Sequence, residues 1–199
     1  MVIFINKSWT IIPDFPCSKY DDNAEYWIED NSEIANFIIN SDGHFRITES
    51  DETGKILSIE EYFSVEELKE NKKREINQAC SSLIYSGYDY NGEHYDLSDE
   101  DQINILAWSL VAQQGDSVPY HSSGNPCRIY TSEEFLSLVA AITFFKTYNL
   151  TYCNLLKQQV DEMTNSEEVK AVTYGTTELN EKYKEIMNTI LGGQNETIS

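Results

Sequence analysis

The sequence predicts an α+β fold: a small N-terminal antiparallel β unit followed by a mainly α-helical bundle with a long helix and a C-terminal helix. Three observations predict it. β-Branched and aromatic runs broken by turn residues fill the first 62 residues. Beyond Ser64, apolar residues recur instead at spacings of three and four, the period of a helix. A hydroxyl residue with an acid three positions later recurs at Ser64 with Glu67, Ser98 with Asp101, Thr131 with Glu134, and Thr164 with Glu167. In such a capping box each side chain satisfies an orphan backbone N–H, so four helix starts are marked.

In the N-terminal unit, residues 1–5 and 9–12 read as strands, and Pro13, Pro16, Asp21, Asp22 and Asn23 punctuate the stretch after them. Residues 33–40, 44–48 and 55–59 make three further short runs. They are separated by Asn40-Ser41-Asp42-Gly43 and Asp51-Glu52-Thr53-Gly54, clusters that end in the glycine hairpin loops need, which suggests a small meander. Residues 23–36 stay open between strand and helix, because Tyr26, Trp27, Asp30, Ile34 and Phe37 also lie near one helical face.

In the helical part, Ile76, Ala79, Cys80, Leu83 and Ile84 form one amphipathic face, and Gly87 comes next as a helix stop. Ile103, Leu106, Ala107, Leu110 and Val111 form one stripe of the next helix, and Ile105, Trp108 and Ala112 a second. A helix apolar on two faces is expected in the middle of a bundle. From Leu138, the residues Ile142, Phe145, Asn149, Tyr152, Leu156, Gln159 and Met163 alternate spacings of four and three, a seam about four heptads long. Tyr and Gln are poor seam residues, so a helix lying on its own domain is favoured over an intermolecular coiled coil. Self-association through the long helix is the partner that seam allows. After Tyr174 and Gly175, a final helix presents Leu179, Tyr183, Ile186, Met187, Ile190 and Leu191, with Gly192 and Gly193 as its stop. The expected organisation is a β-rich docking domain at 1–62, a helical domain at 63–193 and a flexible tail at 194–199.

The order of elements in residues 73–160 resembles an uncharacterised helical domain carried by bacteriophage tail-fibre proteins, tail-fibre assembly proteins and related tail-like particles. The resemblance rests on Lys73, Arg74, Glu75, Ile76 and Asn77; on Tyr95, Asp96, Leu97, Asp101, Gln102 and Asn104; on Pro119, Tyr120, Tyr130, Thr131, Glu134 and Phe135; and on Thr164, Glu167, Glu168 and Val169. It covers roughly half of the chain and implies a context, not a reaction. Two functions are expected from it: a structural component of a phage tail, contacting a tail-fibre or baseplate protein, or an assembly factor that leaves the finished particle. A separate N-terminal docking module favours the first. A metal- or thiol-dependent enzyme is a distant third.

Charge narrows the partners. With 34 acidic and 14 basic side chains the net charge is −20, and no basic cluster exceeds Lys72-Lys73-Arg74. Nucleic acid and anionic membrane are disfavoured as partners because both demand clustered cations. No run reaches the ~18 apolar residues of a membrane span, and no secretory signal is visible, so synthesis in a bacterial cytoplasm is expected. Cys17, Cys80, Cys127 and Cys153 match no zinc or redox spacing; Cys80 and Cys153 fall on apolar helix faces, as small buried hydrophobes do.

No catalytic, cofactor or metal site is expected. Residues 89–100 put acids or amides at positions 1, 3, 5 and 12 of a calcium loop, but glycine stands at position 4, not at the position 6 that such a loop requires. His121 and Cys127 lack an orienting third group. The turn-rich insert at 116–130 is the best candidate for recognition, through Pro119, Tyr120 and Tyr130, extended by Tyr88, Tyr90 and Tyr95 on the preceding hairpin. The same tyrosines could instead plug the end of the bundle with their rings and keep their hydroxyls wet.

Overall fold

A computed structural model describes residues 2–6, 11–12, 24–29 and 32–195, and shows an α+β protein. The chain divides into two compact units, Met1–Glu67 and Leu68–Ser199. Among the described residues, no helix is long and apolar enough to cross a membrane.

The first unit begins with β1 (Val2–Asn6), β2 (Ile11–Ile12) and β3 (Ala24–Glu29), which form an antiparallel sheet in the order β2-β1-β3. Helix α1 (Glu33–Asn40) comes next, then the hairpin of β4 (Phe45–Ser50) and β5 (Ile56–Glu61), in which Ile47 faces Ile59. The predicted meander is therefore corrected in two ways: β1 takes the central place in its sheet, and residues 33–40 are helical. Ser32 caps α1 by accepting from the Ala35 N–H at 3.0 Å, and Ala35 and Ile38, one helical turn apart, enter the core beside Ile28, Phe45 and Ile56. Residues 23–36 thus contain both alternatives, a strand and then a helix. Met1, Trp9, Pro13, Pro16, Cys17, Asp21, Asp22, Asn23 and Asp30 lie outside the described residues.

The turn between β4 and β5 is built by Asp51. Its carboxylate accepts from the Thr53 N–H at 2.8 Å, the Thr53 hydroxyl at 2.6 Å and the Lys55 N–H at 3.0 Å. That turn is held against β3, where the Trp27 indole donates to the Thr53 carbonyl at 3.2 Å.

Helix α2 (Val65–Tyr85) opens on the predicted capping box, with the Glu67 carboxylate accepting from the Ser64 N–H at 2.8 Å, and buries Ile76, Cys80 and Ile84. The hairpin of β6 (Tyr88–Tyr90) and β7 (Glu93–Tyr95) leads into α3 (Asp99–Ala112), and the hairpin of β8 (Val118–Tyr120) and β9 (Arg128–Tyr130) leads into α4 (Ser132–Glu162). Both helices start in the predicted boxes at Ser98 and Thr131.

The position of α3 corrects the expectation of a central helix. Its buried residues are Ile105, Ser109 and Ala112, Trp108 is half-buried, and Ile103, Leu106 and Leu110 are 66 %, 64 % and 57 % exposed. Small residues decide this, because Ser109 and Ala112 let α3 approach α4 closely. Ser132 Oγ, at the start of α4, donates to the Ala112 carbonyl at 2.7 Å, and the Ser109 hydroxyl is satisfied by the Leu106 carbonyl at 2.7 Å.

In α4 the seam packs inside its own unit: Leu138, Ile142, Asn149 and Leu156 are buried. Its polar members hold the C-terminal segment. Tyr152 donates to the Thr177 carbonyl at 2.5 Å, while Gln159 donates to the Glu178 carbonyl at 3.2 Å and accepts from the Asn180 N–H at 2.7 Å. Short α5 (Ser166–Ala171) is capped by Asn165, whose side chain accepts from the Glu167 N–H at 2.8 Å, so the predicted box at Thr164 is replaced by the residue after it. Helix α6 (Glu181–Asn195) runs through Gly192 and Gly193 rather than stopping before them. A helical glycine costs only about 1 kcal/mol against alanine, which α6 offsets by burying Tyr183 and Met187.

Candidate functional site

The two hairpins of the helical unit come together over the N-terminal half of α4, between Phe135 and Phe145. Asn91 and Gly92 both take positive φ, 50° and 82°, the two-residue turn whose twist suits a tight hairpin. Gly87, at φ +92°, lets the chain leave α2. A methyl group there would meet the His94 Nε2 at 2.4 Å and the Tyr95 carbonyl at 2.6 Å. The hairpins are tied to each other: the Ser123 N–H donates to the His94 carbonyl at 2.7 Å, and the Ser123 hydroxyl to Asp96 at 2.6 Å.

Side-chain alternation then puts Glu93 and Tyr95 on one face of β7, and Arg128 and Tyr130 on one face of β9. The Tyr95 and Tyr130 hydroxyls are 2.9 Å apart and buried, and Tyr95 also donates to Glu93 at 2.9 Å. A phenol has one proton, so Tyr130 is the donor within the pair. Glu93 further accepts from Ser122 at 3.2 Å and lies 3.6 Å from Arg128, whose guanidinium sits 3.5 Å from the centre of the Tyr130 ring. The Tyr95 hydrogen bond, with smaller help from Ser122 and Arg128, holds the Glu93 carboxyl below its usual range. Burial, followed by the Tyr130 and Glu93 contacts, keeps the Tyr95 phenol protonated well into alkali. Burial also pushes Tyr120 up to about 12.

Of the six nominated residues, Tyr90, Tyr95 and Tyr130 line one cavity of about 260 Å³, together with Glu93, Arg128, Glu133 and Glu134. Tyr88 leans instead on Phe145, with ring centres 4.9 Å apart, and Tyr120 meets the edge of buried Phe135 at 5.3 Å. Pro119 is exposed on the outer face of its hairpin, paired with exposed Ile129. The plug reading describes the rings of Tyr95, Tyr120 and Tyr130, all buried, but the Tyr130 hydroxyl is not wet: it is spent on Tyr95.

The residues missed in the sequence are Arg128 and the acids around it. Their sequence signals are the two-residue spacing of Arg128 from Tyr130 and of Glu93 from Tyr95, and the capping box that places Glu134 at the start of α4. Chemically the cavity offers a fixed guanidinium, carboxylates and phenol edges, a set that forms hydrogen bonds and ion pairs with a partner surface.

The remaining reactive groups lie elsewhere. His121 stacks on Tyr120 with ring centres 5.6 Å apart, its Nδ1 3.1 Å from the Ser122 carbonyl, and Cys127 is exposed. Cys80 and Cys153 are buried, and their thiols donate to the Asn149 carbonyl and the Asn77 amide oxygen, each at 3.5 Å. In the segment 89–100, Asp89 is 2.7 Å from His94, Asp99 accepts from Tyr85 at 2.7 Å, and Ser98 forms its capping box with Asp101 just beyond. Among the described residues, no group of three or more His, Cys, Asp or Glu side chains is placed to hold a metal ion.

Residues 67–174, more than half of the chain, match the model of the family described as Domain of unknown function (DUF4376), and the chain belongs to that family. No curated protein and no solved structure matches it.

Proposed function

We propose that the chain is a non-enzymatic structural component of a phage tail or tail-like particle, docked to a tail-fibre or baseplate protein. The observation that carries the reading is the set of residues from Lys73 to Val169 that resembles the helical domain of phage tail-fibre proteins. Their roles in the fold support a contact surface rather than a reaction centre: Tyr95, Tyr130, Thr131, Glu134 and Phe135 build the hairpin end, and Gln102 braces the start of α3 by donating to the Leu97 carbonyl at 2.7 Å. Beside the docking expected of residues 1–62, we assign the helical unit's partner contact to that end, to Arg128, Tyr90 and the exposed Pro119–Ile129 pair, because the seam of α4 is consumed inside its own unit. The molecule's place would then be the phage tail, reached after synthesis in the bacterial cytoplasm.

Mass spectrometry of density-purified particles tests this. The chain should be found in fixed ratio to the fibre protein, since a lasting attachment buries roughly 1,600 Å² or more. Arg128→Glu should release it from the particle. Absence from mature particles, with copurification of free fibre protein from lysate, would replace this reading by the assembly-factor one.

A further inference from the structure

A second and larger cavity of about 460 Å³ is lined from α2, α4, α6 and the segment around Gly175. That size suits a small bound group. Leu83, Leu179 and Met187 give it an apolar lining, and Tyr148, Tyr152 and Tyr174 an aromatic one. The hydroxyls of Tyr152 and Tyr174 are taken up by two other lining residues, so what these tyrosines leave for a guest is ring surface. Tyr152 donates to the Thr177 carbonyl at 2.5 Å and Tyr174 to the Asn149 amide oxygen at 3.0 Å. The rings of Tyr152 and Tyr174 stand 5.2 Å apart at 59° and form a corner.

Electrostatics then select the guest. Ring faces carry negative quadrupole density and attract cations. At the rim, Lys184 lies 3.2 Å from Glu178 and 3.1 Å from Glu181, two carboxylates to one ammonium, so the group is net negative and already gathers a cation. The whole chain carries −20. A guanidinium fits this better than an ammonium, since its plane stacks on a ring while its edge forks to a carboxylate.

We infer that this cavity receives the arginine side chain of a basic segment on a partner protein, stacked in the Tyr152–Tyr174 corner and paired with Glu178. The site is independent of the tail assignment and shares no lining residue with the hairpin cavity.

The full chain, titrated with the blocked tripeptide acetyl-Gly-Arg-Gly-amide and with its neutral citrulline counterpart, supplies the test. The arginine peptide should move the ring resonances of Tyr148, Tyr152 and Tyr174, and should bind several-fold to about tenfold more tightly than the citrulline peptide. Two substitutions at side chains that reach solvent should act in opposite directions. Glu178→Gln should weaken binding, and Lys184→Met, by removing the competing cation, should strengthen it. Equal binding of the two peptides, weakening by both substitutions, or still rings at about 10 mM peptide would overturn the inference.

Discussion

Tyrosines gather at two places on α4, its start and its middle, and sit at different depths there. At the hairpin end the Tyr95 and Tyr130 hydroxyls bond each other inside the core, where the Tyr130 ring meets Phe135 edge-on. Farther along α4 the Tyr152 and Tyr174 hydroxyls bond Thr177 and Asn149, and their rings, 5.2 Å apart, pack on each other beside a cavity that both line. The two pairs differ in depth: Tyr95 and Tyr130 are buried, whereas Tyr152 and Tyr174 are half-buried. The ring volume is the same in both cases.

The contrast breaks most visibly at Phe135, which both Tyr120 and Tyr130 meet edge-on. Phe135→Ala should cost about 3–5 kcal/mol through cavity formation, whereas Tyr148→Ala, beside the second cavity, should cost under about 1 kcal/mol. Denaturant titration of both variants checks this, and similar losses would erase the distinction between the two places.

The two faces of α3 give the next largest effect. Ile105→Ala should cost about 2–4 kcal/mol, while Leu106→Ala one position on should change stability by no more than about 0.5 kcal/mol, read as shifts in the denaturation midpoint.

The direction of the phenol pair can be resolved on a smaller scale. Tyr95→Phe strips a partner from both Tyr130 and Glu93 and should cost about 1–3 kcal/mol. Tyr130→Phe leaves Tyr95 donating to Glu93 and should cost about 0.5–1.5 kcal/mol. Equal losses would reverse or dissolve the donor assignment.

The smallest effect belongs to His94. The Asp89 hydrogen bond, against partial desolvation and with help from Asp96, raises its pKa above 6.5. Its contribution to stability is therefore complete below pH 6.5 and is lost as pH rises through the folded value. Asp89→Asn should bring the His94 titration, followed by proton NMR, back down; an unmoved midpoint would remove Asp89 as the cause.

These elements also show what a sequence can and cannot reveal. The boxes at Ser64, Ser98 and Thr131 were legible because capping is a contact between residues three apart. Residues 33–40 misled because Phe37, Ile38 and Ile39 favour strand locally, while the deciding fact is the burial of Ala35 and Ile38 against β3, β4 and β5. The exposure of Ile103, Leu106 and Leu110 was illegible for a related reason: either stripe of α3 could face inward, and the closer approach that Ser109 and Ala112 permit depends on α4. At the hairpin end the tyrosines could be named by type. Arg128 and Glu93 emerge only when two hairpins distant in sequence lie side by side.

One consequence of the buried phenols lies far from recognition. In an unfolded chain tyrosine ionises near pH 10, but Tyr120 holds its proton to about 12, and burial shifts Tyr95 and Tyr174 in the same direction. Folding then binds protons that the unfolded chain releases, so stability drains away as pH climbs from about 10 through about 12. A protein with 34 carboxylates invites attention to acid. Its steeper limit should be an alkaline one, seen as tyrosinate absorbance that rises together with loss of helix rather than ahead of it.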